Sequence, residues 1–153
     1  MKLSNSYLAL AALSVAVCGQ PAVAQSPGDF GTGAWTDTSF VRQTMPDGTE
    51  TEQQSSSGSI CIDAGNNTLS AVDQTFLKTY TDRQCVISEE NFSSNGDLTT
   101  MDAQITCGPL SGNLRVHYAF NLVRVSGSFE VETGAGTTTI FNSSRWQRSG
   151  DGC

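Results

Sequence analysis

The sequence has little of what hydrolytic enzymes and metal proteins use. Its 153 residues contain one histidine, His117, so an H-E-x-x-H zinc motif is excluded, and no G-x-S-x-G nucleophile motif occurs. No two cysteines stand close enough for a zinc-finger pair or a C-x-x-C redox pair. We therefore predict no catalytic constellation, no metal site and no cofactor, and we interpret His117 as an exposed strand residue.

Nearby carboxylates are present, but their spacing is typical of solvated strands. Glu50 and Glu52 are two residues apart, as are Glu130 and Glu132, so each pair lies on one face of a strand. A solvent-facing strand surface explains both pairs without acid–base chemistry.

The apolar run near the N-terminus is too short to span a membrane. Residues Tyr7–Val17 are uncharged, whereas a membrane-spanning helix needs about 20 apolar residues. The run follows Lys2 and precedes Pro21-Ala22-Val23-Ala24, an A-x-A cleavage pattern. We predict a signal peptide over residues 1–24, one exported periplasmic domain over residues 25–153 and no transmembrane segment. The alternative is a lipid anchor on Cys18, which Val17 disfavours because such signals need a small residue there.

Basic residues are also scarce. Eight lysines and arginines face 15 acidic residues, giving a formal net charge of −7. Loss of Lys2 with the signal peptide would leave 7 basic and 15 acidic residues, or −8. A chain this acidic is repelled by nucleic acids and anionic membranes, so neither is an expected partner.

Four cysteines remain after the predicted cleavage: Cys61, Cys85, Cys107 and Cys153. An even number in a small exported domain predicts two disulfides. Three pairings are possible, and the sequence does not decide among them. We favour Cys61–Cys85, which would bracket a local helix, with Cys107–Cys153, which would tie the chain end to the sheet. A Cys61–Cys107 bond would overturn that choice.

Alternating polar and apolar residues predict a mainly β domain. The clearest cases are residues 98–107 and 114–120, where Met101, Ala103 and Ile105 or Val116, Tyr118 and Phe120 share one face. Turn signals at Asp47-Gly48, Asn95-Gly96 and Gly134 separate the strands. The predicted strands cover residues 33–44, 49–62, 86–93, 98–107, 114–120, 125–133 and 137–147.

One segment has helical periodicity. Between Thr68 and Tyr80, the apolar residues Leu69, Val72 and Phe76 recur every three or four positions, which is typical of a core-facing helix. We predict an antiparallel up-and-down sheet, curled or barrel-like, with this one short helix and two disulfides.

Several features occur together in a recognisable order. Gly33-Ala34-Trp35 opens the first strand, Cys61 ends the second, a short helix leads to Cys85, and the chain closes with residues 148–153, RSGDGC. In these features the sequence resembles a family of small exported proteobacterial proteins of unknown function, domain of unknown function three-six-one-seven. The resemblance implies export and two disulfides, and it brings no activity with it.

Two functions of different classes remain open. The first is binding of a small apolar ligand inside the curled sheet. The residues that would line such a space are Trp35, Phe40, Met101, Tyr118, Phe120, Phe129, Phe141 and Trp146. The same residues are also what a domain of this size needs for its core. The alternative is a protein-interaction or envelope-maintenance domain, with the polar stretch Thr49–Ser59 as an exposed edge strand.

Overall fold

Seven antiparallel strands form one open sheet, and two short helices lie between the second and third strands. The computed structural model describes residues 30–153, without the side chains of residues 55–57. The predicted signal peptide and Cys18 therefore lie outside the described residues. The elements are β1 (Gly33–Thr44), β2 (Glu50–Ile62), α1 (Leu69–Phe76), α2 (Lys78–Thr81), β3 (Val86–Asn95), β4 (Leu98–Cys107), β5 (Leu110–Ala119), β6 (Leu122–Thr133) and β7 (Gly136–Gly150).

The strand order is β2-β1-β7-β6-β5-β4-β3. The last five strands form the predicted up-and-down meander, each paired with the next along the chain. The first hairpin, β1–β2, joins this meander through pairing of β1 with β7. The sheet ends at β2 and β3, so the mainly β, antiparallel prediction is confirmed and the barrel-like form is not closed. The Thr49–Ser59 stretch was predicted to be an edge strand, and β2, which contains most of it, lies at one edge of the sheet.

The turns are tighter than the sequence patterns predicted. The sequence patterns predict strands that end at Cys107 and resume at Leu114, but β5 begins at Leu110 and only Gly108-Pro109 connects it to β4. Gly108 has a φ of 61°, in the left-handed region that glycine adopts without steric cost. Phe120 and Asn121 form the next turn, so Phe120 does not continue the inward row of β5 and is 55% exposed.

The single helix predicted over Thr68–Tyr80 is divided in two. Leu77 joins the helices with a φ of −90° and a ψ of 0°, which ends α1 after Phe76. Val72 and Phe76 are buried and Leu69 packs against the core, which agrees with the apolar stripe that the periodicity predicted, and Leu77 is buried as well. Within residues 30–153, no helix is both long enough and apolar enough to cross a membrane.

The core lies between the helices and one face of the sheet, here called the helix-covered face. Phe76 of α1 packs between Trp35 and Trp146, with ring centroids 5.6 and 5.3 Å away. Trp35 is fully buried and its indole N–H donates to the carbonyl of Gly31 at 2.9 Å. A buried aromatic cluster of this kind supplies a large share of the apolar burial of a small domain.

Two polar contacts attach the helices to the sheet. The Tyr80 hydroxyl donates to the Asn142 side-chain oxygen at 2.7 Å, and that oxygen also accepts from the Gly127 backbone N–H at 3.0 Å. Burial raises the pKa of Tyr80 to about 12, so its hydroxyl stays protonated. The Tyr118 hydroxyl donates to Asp73 of α1. These contacts satisfy polar groups that would otherwise be costly to bury.

The disulfides are Cys61–Cys153 and Cys85–Cys107, so the favoured pairing of Cys61 with Cys85 and of Cys107 with Cys153 is wrong. The prediction of two disulfides from these four cysteines is confirmed. Strand register explains the actual pairs. Val86 pairs with Thr106, which places Cys85 opposite Cys107 at the next position of that hairpin. Ala34 pairs with Cys61 on one side and Gly150 on the other, which brings Cys153 near Cys61.

Candidate binding site on the open face of the sheet

The face of the sheet opposite the helices, here called the open face, is mainly polar. Strand alternation places every second residue there, so β6 contributes Arg124 and Ser126 between the buried Val123 and Val125. On β7, Arg145 and Gln147 are exposed on either side of Trp146, which packs against the core. The same strands therefore build the core and present the candidate site.

A groove of about 470 Å³ lies on the open face between β1, β7 and β6. We call it the arginine groove. Its lining residues are Thr36, Thr38 and Phe40 of β1, Arg124 and Ser126 of β6, and Phe141, Ser143, Arg145 and Gln147 of β7. Its volume is within the range of small-molecule sites, about 300–1,000 Å³. The lining combines two guanidinium groups, four hydroxyls, one amide and two phenyl rings.

Cross-strand register brings the two arginines together. Arg124 pairs directly with Arg145, and Arg145 pairs with Thr38 on its other side. Directly opposite residues of an antiparallel pair have Cβ atoms about 4.5–5.5 Å apart. Arg145 donates to the side-chain oxygen of Gln147 at 3.4 Å, a long and weak hydrogen bond. Among the described residues, neither arginine is in an ion pair.

An aromatic pair forms the adjoining part of the arginine groove. The rings of Phe40 and Phe141 are 5.8 Å apart and inclined by 44°. Both aromatic side chains are partly exposed, and their neighbours on the open face are polar. The guanidinium carbon of Arg42 lies 5.9 Å from the centroid of the Phe40 ring, in range of a cation–π contact.

A second groove of about 590 Å³ lies on the same face, mainly over β4 and β5, and shares Ser126 and Phe141 with the first. Its charge is arranged differently. The guanidinium of Arg115 donates to Asp102 at 2.6 Å, so these two opposite charges offset each other. The Gln104 amide donates to the Asn113 side-chain oxygen at 3.0 Å. These four side chains are therefore already partnered within the protein.

His117 is half-buried on the open face. It belongs to β5 and pairs with Arg124 of β6. Its Nδ1 is 3.1 Å from the Thr100 hydroxyl, and which atom donates depends on the tautomer. A catalytic imidazole is usually oriented by a carboxylate and directed at a nucleophile. The hydroxyl contact with Thr100 is not such an arrangement. Of the carboxylate pairs noted in the sequence, Glu52 is bound by Arg42 at 3.1 Å and Glu132 accepts from Thr137 at 2.8 Å.

The residues proposed from the sequence to line an apolar ligand space lie in three separate places. Five are buried or partly buried in the core of the helix-covered face: Trp35, Met101, Tyr118, Phe129 and Trp146. Phe40 and Phe141 are on the open face, in the arginine groove. Phe120 is in the turn after β5 and is largely exposed. The structure therefore brings together the five core residues, and separately the Phe40–Phe141 pair.

A carboxyl group and two cysteines meet near the end of the chain. The ligand atoms of Cys61, Asp63 and Cys153 lie within 4.8 Å of one another. The two sulfur atoms are bonded to each other, so neither is available as the thiolate that a metal ion needs. That cluster is therefore a disulfide beside an exposed carboxylate.

Arg124 and Arg145 are not among the site residues predicted from the sequence. A signal was present, because each stands at a polar position of an alternating strand in a chain with few basic residues. The pairing of β6 with β7 follows from the short turn between them, but the participation of β1 does not. Comparisons of the chain with protein-family models, with curated proteins and with solved structures gave no match.

Proposed function

We propose that the protein is an exported binding domain that takes a small water-soluble molecule in the arginine groove. The observation that carries this proposal is the groove itself. It has the volume of a small-molecule site, and its two guanidinium groups are in no ion pair among the described residues. The core is on the other side of the sheet, so the open face is free to be specialised for recognition.

Export to the periplasm is part of the proposal. Two disulfides join cysteines far apart in the sequence, with separations of 92 and 22 residues. Such bonds persist in oxidising compartments and are rare in the reducing cytoplasm. The predicted signal peptide is consistent with that compartment. Membership of the family of exported proteins named above stays a prediction.

The arginine groove supports binding of a water-soluble molecule better than the structure supports the two functions considered from the sequence, an apolar carrier and a protein-interaction domain. The aromatic residues expected around an apolar ligand are mostly occupied in packing with α1, as the Trp35–Phe76–Trp146 cluster illustrates. The edge strand β2 offers mainly backbone groups to a partner strand, and Glu50 and Glu52 stand on it. Charged residues on an edge strand oppose strand addition.

The proposal is tested by measuring amide chemical shifts while a probe molecule is added to the protein. The full chain, including residues 1–24, is expressed in a host with a periplasm. The probes are benzoate, benzyl alcohol, N-acetylglucosamine and decanol. We expect at least one of the three water-soluble probes to cause saturable shifts of the groove amides, including Thr38, Ser126 and Ser143. Saturable shifts with decanol alone, centred on Met101 and Phe129, would support an apolar carrier instead. No saturable shift in the groove would refute the proposal.

A blocking variant locates the binding. Ser143→Trp should remove the shifts, because an indole at this position fills the arginine groove. Ser111→Trp is the matched control, since Ser111 is an exposed serine of β5 outside the lining of both grooves.

The mass of the denatured protein tests export. A chain that begins at Gln25 is expected, and a lipid on Cys18 would contradict periplasmic release.

A further inference from the structure

We infer that the ligand of the arginine groove is an organic anion, in which a carboxylate, sulfate or phosphate group is carried on a planar apolar body. Arg124 and Arg145 hold the anionic group, and Phe40 and Phe141 contact the body. This inference rests on the proposed function and specifies its ligand class.

The arginine pair is unfavourable for the sheet unless an anion binds it. Arg124 and Arg145 stand directly opposite each other on adjacent strands. Like charges in this position destabilise a sheet, whereas opposite charges stabilise it. The chain has 15 acidic residues and only 8 basic ones, yet two of those basic residues face each other here. An anion between the two guanidinium groups turns this repulsion into two attractive contacts.

Acidic residues do not neutralise the pair. Of the five other described cations, only Arg83 is in no ion pair. The other four have acidic partners: Arg42 with Glu52, Lys78 with Asp82, Arg115 with Asp102, and Arg148 with Asp151. On β6 the nearest acidic residue of the open face is Glu130. It stands six residues from Arg124, about 20 Å at the rise of a strand. That distance exceeds the screening length of about 8 Å in physiological salt. Along β6 the arginine pair therefore has no acidic residue of the open face within the screening length.

The hydrogen-bond donors that line the arginine groove match an oxyanion. A guanidinium group presents a planar set of N–H donors that binds a carboxylate or phosphate through two parallel hydrogen bonds. Ser126 and Ser143 pair across β6 and β7 beside the arginines, with their hydroxyl oxygens 3.5 Å apart. That separation is at the limit of a hydrogen bond, so both hydroxyls can donate to a bound group.

The Phe40–Phe141 pair and the groove volume limit the size and nature of the ligand. Phe40 pairs with Ser143, which is the next open-face residue of β7 after Arg145. The Phe40–Phe141 pair therefore adjoins the arginines. An aromatic or other planar body attached to the anion reaches these rings directly. A polyanion does not suit the site, because a groove of about 470 Å³ holds only a small molecule and the net charge of −7 repels an extended anionic chain.

The inference is tested by titrating the full chain with matched probes in low salt. Amide chemical shifts report the binding. Benzoate, benzenesulfonate and phenyl phosphate carry different anionic groups on one ring, and benzyl alcohol is their neutral counterpart. We expect at least one anion to bind at least tenfold more tightly than benzyl alcohol. Acetate and inorganic phosphate, which lack the ring, should bind more weakly than the preferred aromatic anion. The best of the three anions identifies the oxyanion class.

Arginine variants complete the test. Arg124→Gln and Arg145→Gln should each weaken anion binding by about tenfold or more, the usual size of a lost charge-assisted hydrogen bond. Arg115→Gln is the control for general charge, because Arg115 is held by Asp102 in the second groove, and it should change binding by less than about twofold. All three positions are exposed, so the variants should fold, and circular dichroism checks this.

The outcomes separate the inference from the proposed function. Equal binding of benzyl alcohol and the anions in the groove, unchanged by Arg124→Gln and Arg145→Gln, would overturn the anion inference and leave the binding domain intact. Equal losses in all three arginine variants would mean non-specific attraction and would also overturn it. The absence of groove binding by every probe would overturn both.

Discussion

The two faces of the sheet are built from the same strands but differ in what their side chains contact. On the helix-covered face, Trp35 and Val123 are fully buried and belong to one aromatic and aliphatic core. On the open face, Phe40 and Arg124 belong to the same two strands but line the arginine groove. Strand alternation alone separates these environments, because neighbouring residues point to opposite sides.

This difference predicts that stability and recognition are divided between the faces. The helix-covered face holds most of the buried apolar area, which is the main stabilising contribution in a domain of this size. The open face contains an unfavourable charge pair that the fold tolerates. A structural role alone does not explain the arginine pair, since uncharged residues would form the same strands.

The largest expected difference between the faces is in the free energy of unfolding of two aromatic variants. Trp35→Ala should lower it by about 3–5 kcal/mol, because it leaves a cavity beside Phe76 and removes the N–H donor to Gly31. Phe40→Ala, on the same strand, should lower it by only about 1 kcal/mol, since the ring is partly exposed. Urea unfolding measures both. Losses of equal size would contradict the division between the faces.

A smaller effect is expected where the helix meets the sheet at Asp73. Burial raises the pKa of Asp73, the negative charge of Glu90 raises it further, and the hydrogen bond from Tyr118 opposes both. A raised pKa in the folded state means that the folded protein binds this proton more tightly than the unfolded chain. The contribution of Asp73 to stability therefore decreases from about pH 4 to the pH at which the folded carboxyl ionises.

Asp73→Asn should remove this dependence while its amide oxygen still accepts from Tyr118. We expect the variant to gain stability relative to the natural chain as the pH rises from about 4 to 7, measured by urea unfolding at each pH. Asp97→Asn controls for the loss of one negative charge at an exposed turn. Parallel pH profiles for the natural chain and Asp73→Asn would contradict a buried, destabilised carboxylate.

The smallest expected effect is on the open face. Without ligand, Arg124→Gln should raise the free energy of unfolding by about 0.2–1 kcal/mol in low salt, because it removes the repulsion with Arg145. The gain should disappear in 1 M salt, where the screening length is only about 3 Å. Arg115→Gln, which breaks the ion pair with Asp102, is the matched control and should not stabilise the protein. A loss of stability in Arg124→Gln would indicate a structural role for that arginine.

Local patterns predicted most of the strands but not their neighbours. The alternation of Met101, Ala103 and Ile105 with polar residues correctly placed these three side chains in the core. Phe120 was expected in the same core, but it is in a turn because a two-residue connection ends β5 at Ala119. The favoured disulfide pairing failed for a related reason. Cys153 reaches Cys61 only because β7 and β2 both pair with β1, and that arrangement is not local in sequence.

The sequence by itself determined the mainly β, antiparallel character of the protein, the core-facing side of most strands and the two disulfides, because alternation, turn residues and cysteine number act over short distances. Tertiary structure decided which cysteines join, where the sheet stays open, and which polar residues meet across β1, β7 and β6. The arginine groove belongs to this second group. Its two arginines are 21 positions apart, and strand register alone places them opposite each other.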